Sequence, residues 1–465
     1  MAMEVAQKPI AQKIERISSL CPVCDQPVQG CLQMSTGRLF LERECPVHGK
    51  FSHLFEDDSN YYHQRHAYWK PGTDSKRQTL AQNGCPFDCG LCPNHQQHTC
   101  IGVMEITSRC DAQCPICYAA ASRESGDLDL KTVGRMLDFY AQAEGGHPEI
   151  VQISGGEPTL HPQVLDIIRL ARQKVKYVML NTNGRRIAED ADFVKALAKF
   201  QGNFEVYLQF DGFASAIYKD FRSQAFEQIK FKAVENLIRY KIPMTLVATI
   251  KNGVNDGDIG ALVKFGMQTK FVRGISFQPL AYFSPDSVRG AAGQISLTGI
   301  LKRMREQTKG EYGIEDFVPL PCNVDRVAVA YFYRQGDGFV SATRKAKIKN
   351  YLPLVKNTFA FNVEDFFKEA AGGLARGEVC QCMSFLKDFM PVAPLKLLLK
   401  GRAARVQYVN DKTFRMTVTS FVDRLNCDLN ALKKECVHII TPDLKRVPFS
   451  AYNMFYRQQG GNGNA

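Results

Sequence analysis

Three cysteines carry the most chemistry in this chain. The segment Cys110-Asp-Ala-Gln-Cys114-Pro-Ile-Cys117-Tyr118 spaces its thiols by three and then two residues, shortly after the apolar run Val103-Met104-Glu105-Ile106. Cysteine thiolates are the usual ligands of iron–sulfur clusters. Three at this spacing can wrap one corner of a 4Fe-4S cubane and leave its fourth iron open to a small molecule. Structural zinc takes paired ligands and usually four protein donors, so this set suits zinc poorly. One strand-and-helix unit further on stands Gly155-Gly156-Glu157-Pro158. Its two glycines permit close backbone approach, and its carboxylate can pair with an ammonium group. Asn181 and Asn183 follow the third apolar run, and Gln209 and Asp211 end the fourth. Each could bind a cofactor or simply form a turn or cap.

The chain has 16 cysteines and one Trp, and three tight groups of thiols cannot all be buried small hydrophobes. Cys85, Cys89 and Cys92 repeat the three-and-two spacing, and Cys100 adds a fourth thiolate. A full set of four suggests a closed, electron-transferring 4Fe-4S cluster; an open, substrate-binding cluster and a structural zinc are the alternatives. Cys21-x2-Cys24 and Cys45-x2-His48 form two knuckles that read as one tetrahedral site. Zinc is the default there, a mononuclear rubredoxin-like iron the alternative, and Cys31 competes with His48 for the fourth position. Cys322, Cys380, Cys382, Cys427 and Cys436 are scattered, and any of them can be a small buried hydrophobe. Cys380-x-Cys382, joined by Cys322 and Cys436, could hold a further cluster after folding.

The elements that must position these groups are readable between residues 102 and 310. Val103–Ile106, Ile150–Ile153, Tyr177–Leu180, Phe204–Phe210, Met244–Ile250 and Gly274–Phe277 read as buried strands. Asp129–Ala143, Gln163–Lys174, Ala188–Lys199, Phe226–Tyr240 and Asp258–Thr269 have the three- and four-residue apolar spacing of amphipathic helices. Strand and helix in alternation imply an α/β fold with a parallel sheet, closed into a partial (β/α)6 barrel with function at the strand C-terminal ends. We divide the chain into an N-terminal metal-knuckle region (1–80), an iron–sulfur bridge (81–101), the barrel (102–310) and a C-terminal auxiliary-cluster and substrate region (311–465).

The chain of 465 residues is 45% hydrophobic, enough for a large core. Its first twenty residues lack a signal-peptide apolar region, and no apolar run reaches the roughly twenty residues that span a bilayer. These features predict a cytosolic protein, where cysteines serve metals rather than disulfides. The net charge of +12 gathers toward the C-terminus, with Arg344, Lys345, Lys347 and Lys349 in one run and Lys396, Lys400, Arg402 and Arg405 around the apolar stretch Phe385–Leu399. Basic surfaces suit phospholipid or nucleic acid alike. No basic track interleaved with aromatics is present, so nucleic acid is not favoured.

The Cys110–Cys117 motif after the first strand and Gly155-Gly156-Glu157-Pro158 after the second resemble the radical S-adenosylmethionine (SAM) superfamily. That resemblance implies SAM bound at the open iron of the cluster, a 5′-deoxyadenosyl radical from its reductive cleavage, and reduced flavodoxin or ferredoxin as electron donor. It makes Cys110, Cys114 and Cys117 catalytic, and Tyr118, Gly155, Gly156, Glu157, Pro158, Asn181, Asn183, Gln209 and Asp211 SAM contacts. The stretch Gly84–Ala119, the N-terminal knuckles and the C-terminal Cys436-Val-His438 to Arg457 segment resemble, more narrowly, the archaeal tetraether lipid synthase family and its bacterial relatives. Members of that family were also described as dihydropterin methylases. The resemblance implies auxiliary iron–sulfur clusters and carbon–carbon bond formation or alkylation at unactivated carbons of a lipid, with peripheral contact at the inner membrane face. Radical methylation of a dihydropterin or another small heterocycle is the alternative, and RNA modification a more distant one. Ser450 stands where such relatives would carry cysteine, which leaves the last cluster's ligands open.

Overall fold

A computed structural model describes residues 15–119, 126–146, 148–200, 202–288, 291–336, 338–345 and 412–457. Cys380, Cys382, the stretch Phe385–Leu399 and the basic residues Lys347, Lys349, Lys396, Lys400, Arg402 and Arg405 lie outside the described residues.

The N-terminal part is an antiparallel sheet in chain order: β1 (Glu15–Leu20), β2 (Pro27–Ser35), β3 (Arg38–Cys45) and β4 (Gly49–Glu56). Side chains alternate across it, so Leu39 and Leu41 of β3 are buried while Arg38 is exposed. Its core is small: Ile17, Leu32, Leu39, Leu41 and Phe55, with Tyr62 from helix α1 (Ser59–Arg65).

The central sheet carries six parallel strands in sequential order: β5 (Ile101–Thr107), β6 (Ile150–Gly155), β7 (Tyr177–Thr182), β8 (Phe204–Gln209), β9 (Met244–Ile250) and β10 (Val272–Pro279). The six apolar runs of the sequence are these strands. Helices α2 (Leu130–Ala143), α3 (Val164–Lys174), α4 (Arg185–Glu189), α5 (Ala191–Leu197), α6 (Ser215–Arg222), α7 (Glu227–Arg239) and α8 (Ile259–Gln268) connect them. Asp129 starts α2 by accepting a hydrogen bond from Thr132 N at 2.6 Å. The single helix expected over Ala188–Lys199 is two helices. Asp190 interrupts it in an extended conformation and caps α5 by accepting from Phe193 N at 2.9 Å. The helices bury their apolar stripes against one continuous core, which includes Val133, Leu137, Ile167, Val194, Leu237 and Leu262.

Segments after residue 310 extend this sheet at both edges. Beyond β10 lie β14 (Thr413–Thr419), parallel to it, and then β12 (Val327–Gln335), which pairs with β11 (Val318–Pro319) and β13 (Gly338–Ser341). Beyond β5 lies β15 (Val437–Ile440), also parallel, followed by β16 (Arg446–Pro448). The barrel is therefore an open sheet with its six expected strands at the centre. Among the described residues, no helix is long and apolar enough to cross a membrane.

Candidate active site

The loops that leave the C-terminal ends of β5 to β8 converge on one open cavity of about 1410 Å³. In a parallel α/β sheet this is the end at which ligands bind. Its walls include Cys110, Cys114, Cys117 and Tyr118 from the loop after β5, Gly155 at the end of β6, Gly156, Glu157 and Pro158 from the turn after it, Asn181 from β7, Asn183 just beyond β7, and Gln209 from β8. The sequence-predicted groups are thus brought together, apart from Asp211. Burial pushes the Cys110 thiol up to about 12 and raises Cys114 as well. A coordinated metal would deprotonate these thiols outright, and three cysteines converging on one cavity are a donor set that suits an iron–sulfur cluster.

The two glycines serve the cysteine loop. A Cβ on Gly155, whose φ is +141°, would stand 2.1 Å from the Thr107 carbonyl oxygen, and one on Gly156 would stand 2.3 Å from that of Arg109. This close approach lets Gly156 N donate to Thr107 O at 2.8 Å and Glu157 N to Arg109 O at 2.7 Å. The turn after β6 and the start of the cysteine loop are stitched together as one unit.

Direct pairing of the Glu157 carboxylate with an ammonium, expected from the sequence, is not what this geometry offers. Its Oε1 accepts from Thr159 N (3.1 Å), Thr159 Oγ1 (2.6 Å) and Thr182 Oγ1 (2.8 Å), and its Oε2 from Asn183 N (2.7 Å). Burial raises its pKa, and these hydrogen bonds oppose the rise. The carboxylate cross-links the β6 and β7 ends. Asn183 in turn donates to Asp111 Oδ1 at 2.7 Å, inside the cysteine loop.

Asp211 also departs from the expected cofactor contact. It is fully buried and absent from the cavity walls. It accepts from Gln209 Nε2 (2.7 Å) and Thr249 N (3.0 Å), and forms a two-point ion pair with Arg222 Nε (3.1 Å) and Nη2 (2.7 Å). Arg222 lies on the cavity wall and reaches the Cys114 thiol. Lys230 of α7 is a second cation on this wall, bonded to the Asn183 carbonyl and set over the Phe226 ring at 4.9 Å. Burial lowers Lys230 to about 8, with Arg222 next in effect. Neither cation was singled out in the sequence. Lys230 could have been, since it occupies the apolar stripe of α7 with Ala233, Val234 and Leu237.

Comparison with known proteins agrees with this geometry. The profile of the Radical SAM superfamily matches residues 104–266, the span of strands and loops that builds the cavity. Residues 104–266 form a radical SAM domain. The profile of the HMPTM N-terminal zinc ribbon domain matches residues 13–57. A 7,8-dihydro-6-hydroxymethylpterin dimethyltransferase of Methanocaldococcus jannaschii is 29% identical over 95% of this chain and 94% of its own length. A probable GTP 3′,8-cyclase of Thermococcus kodakarensis is 26% identical over 36% of this chain and 52% of its own. Among solved structures, Streptococcus suis SuiB bound to S-adenosylmethionine is 20% identical, with a TM-score of 0.38 over 46% of this chain and 48% of that one. The chain thus spans about half the length of that solved structure. As a radical SAM enzyme, the protein uses SAM and a 4Fe-4S cluster.

The radical SAM domain is accompanied by two further cysteine regions. In the ribbon, the ligand atoms of Cys21, Cys24, Cys45 and His48 all lie within 4.8 Å of one another. Cys24 Sγ and Cys45 Sγ are 3.9 Å apart, and His48 Nδ1 is 3.7 Å from Cys21 Sγ and 3.6 Å from Cys45 Sγ. A tetrahedron with Zn–S bonds of about 2.3 Å has edges of about 3.8 Å, so the set fits one ion. Cys31 is not part of it; it lies within β2, opposite Arg16 and Glu42.

The expected foursome in the bridge is divided. Cys85, Cys89 and Cys92 line a small pocket of about 300 Å³ with His95 and Lys433, and Cys100 is not among its walls. Cys100 lies at the foot of β5, where its N–H donates to Cys436 O at 2.9 Å. The Cys436 thiol is within hydrogen-bonding reach of both Cys100 and Cys322. Cys427 is buried in the same core region. Ser450, at the position read as a missing cysteine, donates from Oγ to Glu435 Oε1 at 2.9 Å and accepts from Val422 N at 3.1 Å.

Proposed function

We propose that this radical SAM enzyme methylates a dihydropterin. The observation that carries the reading is its length of agreement: similarity to the Methanocaldococcus dihydropterin dimethyltransferase runs through 95% of this chain and 94% of that enzyme, so it includes the ribbon and the C-terminal part as well as the shared barrel. The lipid substrate expected first finds no counterpart among these relatives, and the apolar stretch invoked for it lies outside the described residues.

SAM bound at the cluster supplies a 5′-deoxyadenosyl radical. The chain's own residues then have these roles. Cys110, Cys114 and Cys117 ligate three irons. The turn Gly155–Pro158 presents its backbone to the SAM methionyl group, and Glu157 holds that turn in place. Arg222 and Lys230 would hold the SAM carboxylate, and Asp211 keeps Arg222 aimed. Asn183 and Gln209 would supply the remaining polar contacts to SAM. The Cys85, Cys89 and Cys92 pocket holds an auxiliary cluster, and Cys100, Cys322 and Cys436 belong to a further thiol site. Electrons come from reduced flavodoxin or ferredoxin, and the ribbon holds zinc.

The test uses the full chain, reconstituted anaerobically, with SAM, a low-potential reductant and an anaerobic cell extract as carbon source. 7,8-Dihydro-6-hydroxymethylpterin should gain the mass of one or two methyl groups. Terminally deuterated lipid in the same mixture should pass no deuterium into 5′-deoxyadenosine. Deuterium arriving from lipid, with the pterin unchanged, would return the enzyme to the lipid reading.

A further inference from the structure

The cavity has two chemically different walls. Arg222, Lys230 and the three cysteines form one. The other is neutral. It contains the rings of Tyr118, Phe283, Phe421 and Phe449, which touch one another: Phe421 to Phe449 at 4.4 Å between centroids, Tyr118 to Phe449 at 5.2 Å and Tyr118 to Phe283 at 6.0 Å. These rings come from three distant segments, the cysteine loop, the loop after β10 and the C-terminal region. Inside the barrel, the strands β6, β7, β8 and β10 add a row of carboxamides, Gln152, Asn181, Gln209 and Gln278.

The row is incompletely satisfied. Among the described residues, Asn181 Nδ2 makes only a long contact to Gln152 Oε1, at 3.4 Å, and the buried Asn181 Oδ1 has no partner. Gln209, by contrast, is tied through Nε2 to Asp211. A buried acceptor without a donor is costly, so its complement is expected in a ligand. A carboxamide offers both a donor and an acceptor and can match the alternating N–H, N and C=O groups on the edge of a nitrogen heterocycle. An alkyl chain would leave the Asn181 oxygen unpaired. Aromatic rings favour a flat π-system laid against them.

We infer that this wall is the substrate subsite for a planar nitrogen heterocycle, with Phe421 and the mutually edge-to-face rings of Tyr118, Phe283 and Phe449 enclosing its ring system by face and edge contacts, and Asn181, Gln152 and Gln278 reading its edge. The inference rests on the pterin reading only for the identity of the ring. The subsite selects flat, neutral, edge-polar substrates and rejects hydrocarbon chains. It also places such a ring beside Tyr118, which follows Cys117 directly in the chain.

The experiment is equilibrium binding to the reconstituted full chain under anaerobic conditions. The probes are 7,8-dihydro-6-hydroxymethylpterin, guanine, palmitate and SAM, and the proteins are wild type, Phe421→Leu and Gln278→Leu. Dihydropterin affinity should fall about tenfold in each variant, the scale of one lost stacking or edge contact. SAM affinity, which also reports that the variants are folded, should move by less than about twofold. If wild type and both variants bind the dihydropterin equally, the subsite is wrong and the proposed function stands. If wild type ignores the dihydropterin but binds guanine, with the loss in the variants, the subsite stands and the pterin reading falls. Binding of palmitate alone overturns both. A fall in SAM affinity matching the fall in ring affinity gives this wall to the adenine of SAM and overturns the subsite.

Discussion

The ribbon and the barrel mouth both gather three cysteines, yet they stand on very different foundations. The ribbon's four ligands sit on two turns of one sheet, within 28 residues of chain, over a core of five β-strand hydrophobics and Tyr62. The barrel's cysteine loop packs through Ala112 on Tyr218 and Phe226, beside a continuous core drawn from all six strands and from every helix of the domain but α6. A core as small as the ribbon's rarely holds a fold by itself, so its ion is a folding component. The barrel core needs no metal to close, so the cluster at its mouth serves reactivity alone. The ribbon is also docked onto the C-terminal region. Arg43 donates to the carbonyls of Arg424 and Leu425 at 2.9 Å each, Ser19 donates to Cys427 O at 2.6 Å, and Arg424 pairs with Asp25, the residue after Cys24.

The sharpest way to break this comparison is to remove each metal in turn. Replacing Cys24 and Cys45 by Ser should unfold the ribbon, because structural zinc contributes on the order of 10 kcal/mol to such modules. Proteolysis should then cut within residues 15–56, and zinc content should fall to zero. Replacing Cys110, Cys114 and Cys117 by Ala should leave the thermal midpoint almost unchanged, remove about four irons per chain and abolish SAM cleavage. A triple variant that unfolds, or a ribbon variant that resists protease as wild type does, would dissolve the distinction.

A smaller effect is expected at the pair that links the barrel core to its mouth. Asp211 is fully buried and Arg222 is 15% exposed. Breaking a buried ion pair from one side typically costs about 3–5 kcal/mol, because a charge is left uncompensated. Asp211→Asn should lower stability to chemical denaturant by that order and weaken SAM binding, with iron content retained. Loss of iron in step with stability would make Asp211 a general scaffold residue instead of the positioning residue for Arg222.

The sequence was most legible where the chain is most uniformly buried. Parallel strands covered on both faces read as continuous apolar runs, and Met244–Ile250 was located to the residue. Helix α6 escaped notice because it has only eight residues and no side-chain cap. Arg222 escaped with it, since a lone basic residue reads as solvated. Cys100 was assigned by nearness in sequence to Cys92. The deciding contact is instead the parallel pairing of β15 with β5, which joins residues 101–103 to residues 437–439 and brings Cys436 to Cys100. Such a pairing leaves no trace in spacing. The partners of Glu157 are hidden for a related reason: Thr182 ends the next strand and Asn183 follows it. Motif residues were legible as a set, while the division of labour among them required tertiary contacts.

The smallest expected effect lies at Lys230, where it still separates the two walls of the cavity. Burial and the neighbouring Arg222 lower this ammonium to about 8, while Asp211, Glu157 and Cys114 act in the opposite sense. Below that pH the group is charged and can hold the SAM carboxylate. As pH rises through about 8 it loses its proton, so affinity for an anionic group must fall with rising pH. A single titration centred there predicts a decline in SAM affinity of about tenfold between pH 7 and 9. A bound carboxylate favours the charged form, so the midpoint in the complex lies higher than in the free enzyme. Lys230→Met should start with weaker SAM binding and show a flat profile over the same range. Dihydropterin affinity, read on the neutral aromatic and carboxamide wall, should show no decline assignable to Lys230. If SAM affinity is flat in wild type, Arg222 alone carries the carboxylate, and Lys230 is left with the single task of tying α7 to the Asn183 carbonyl.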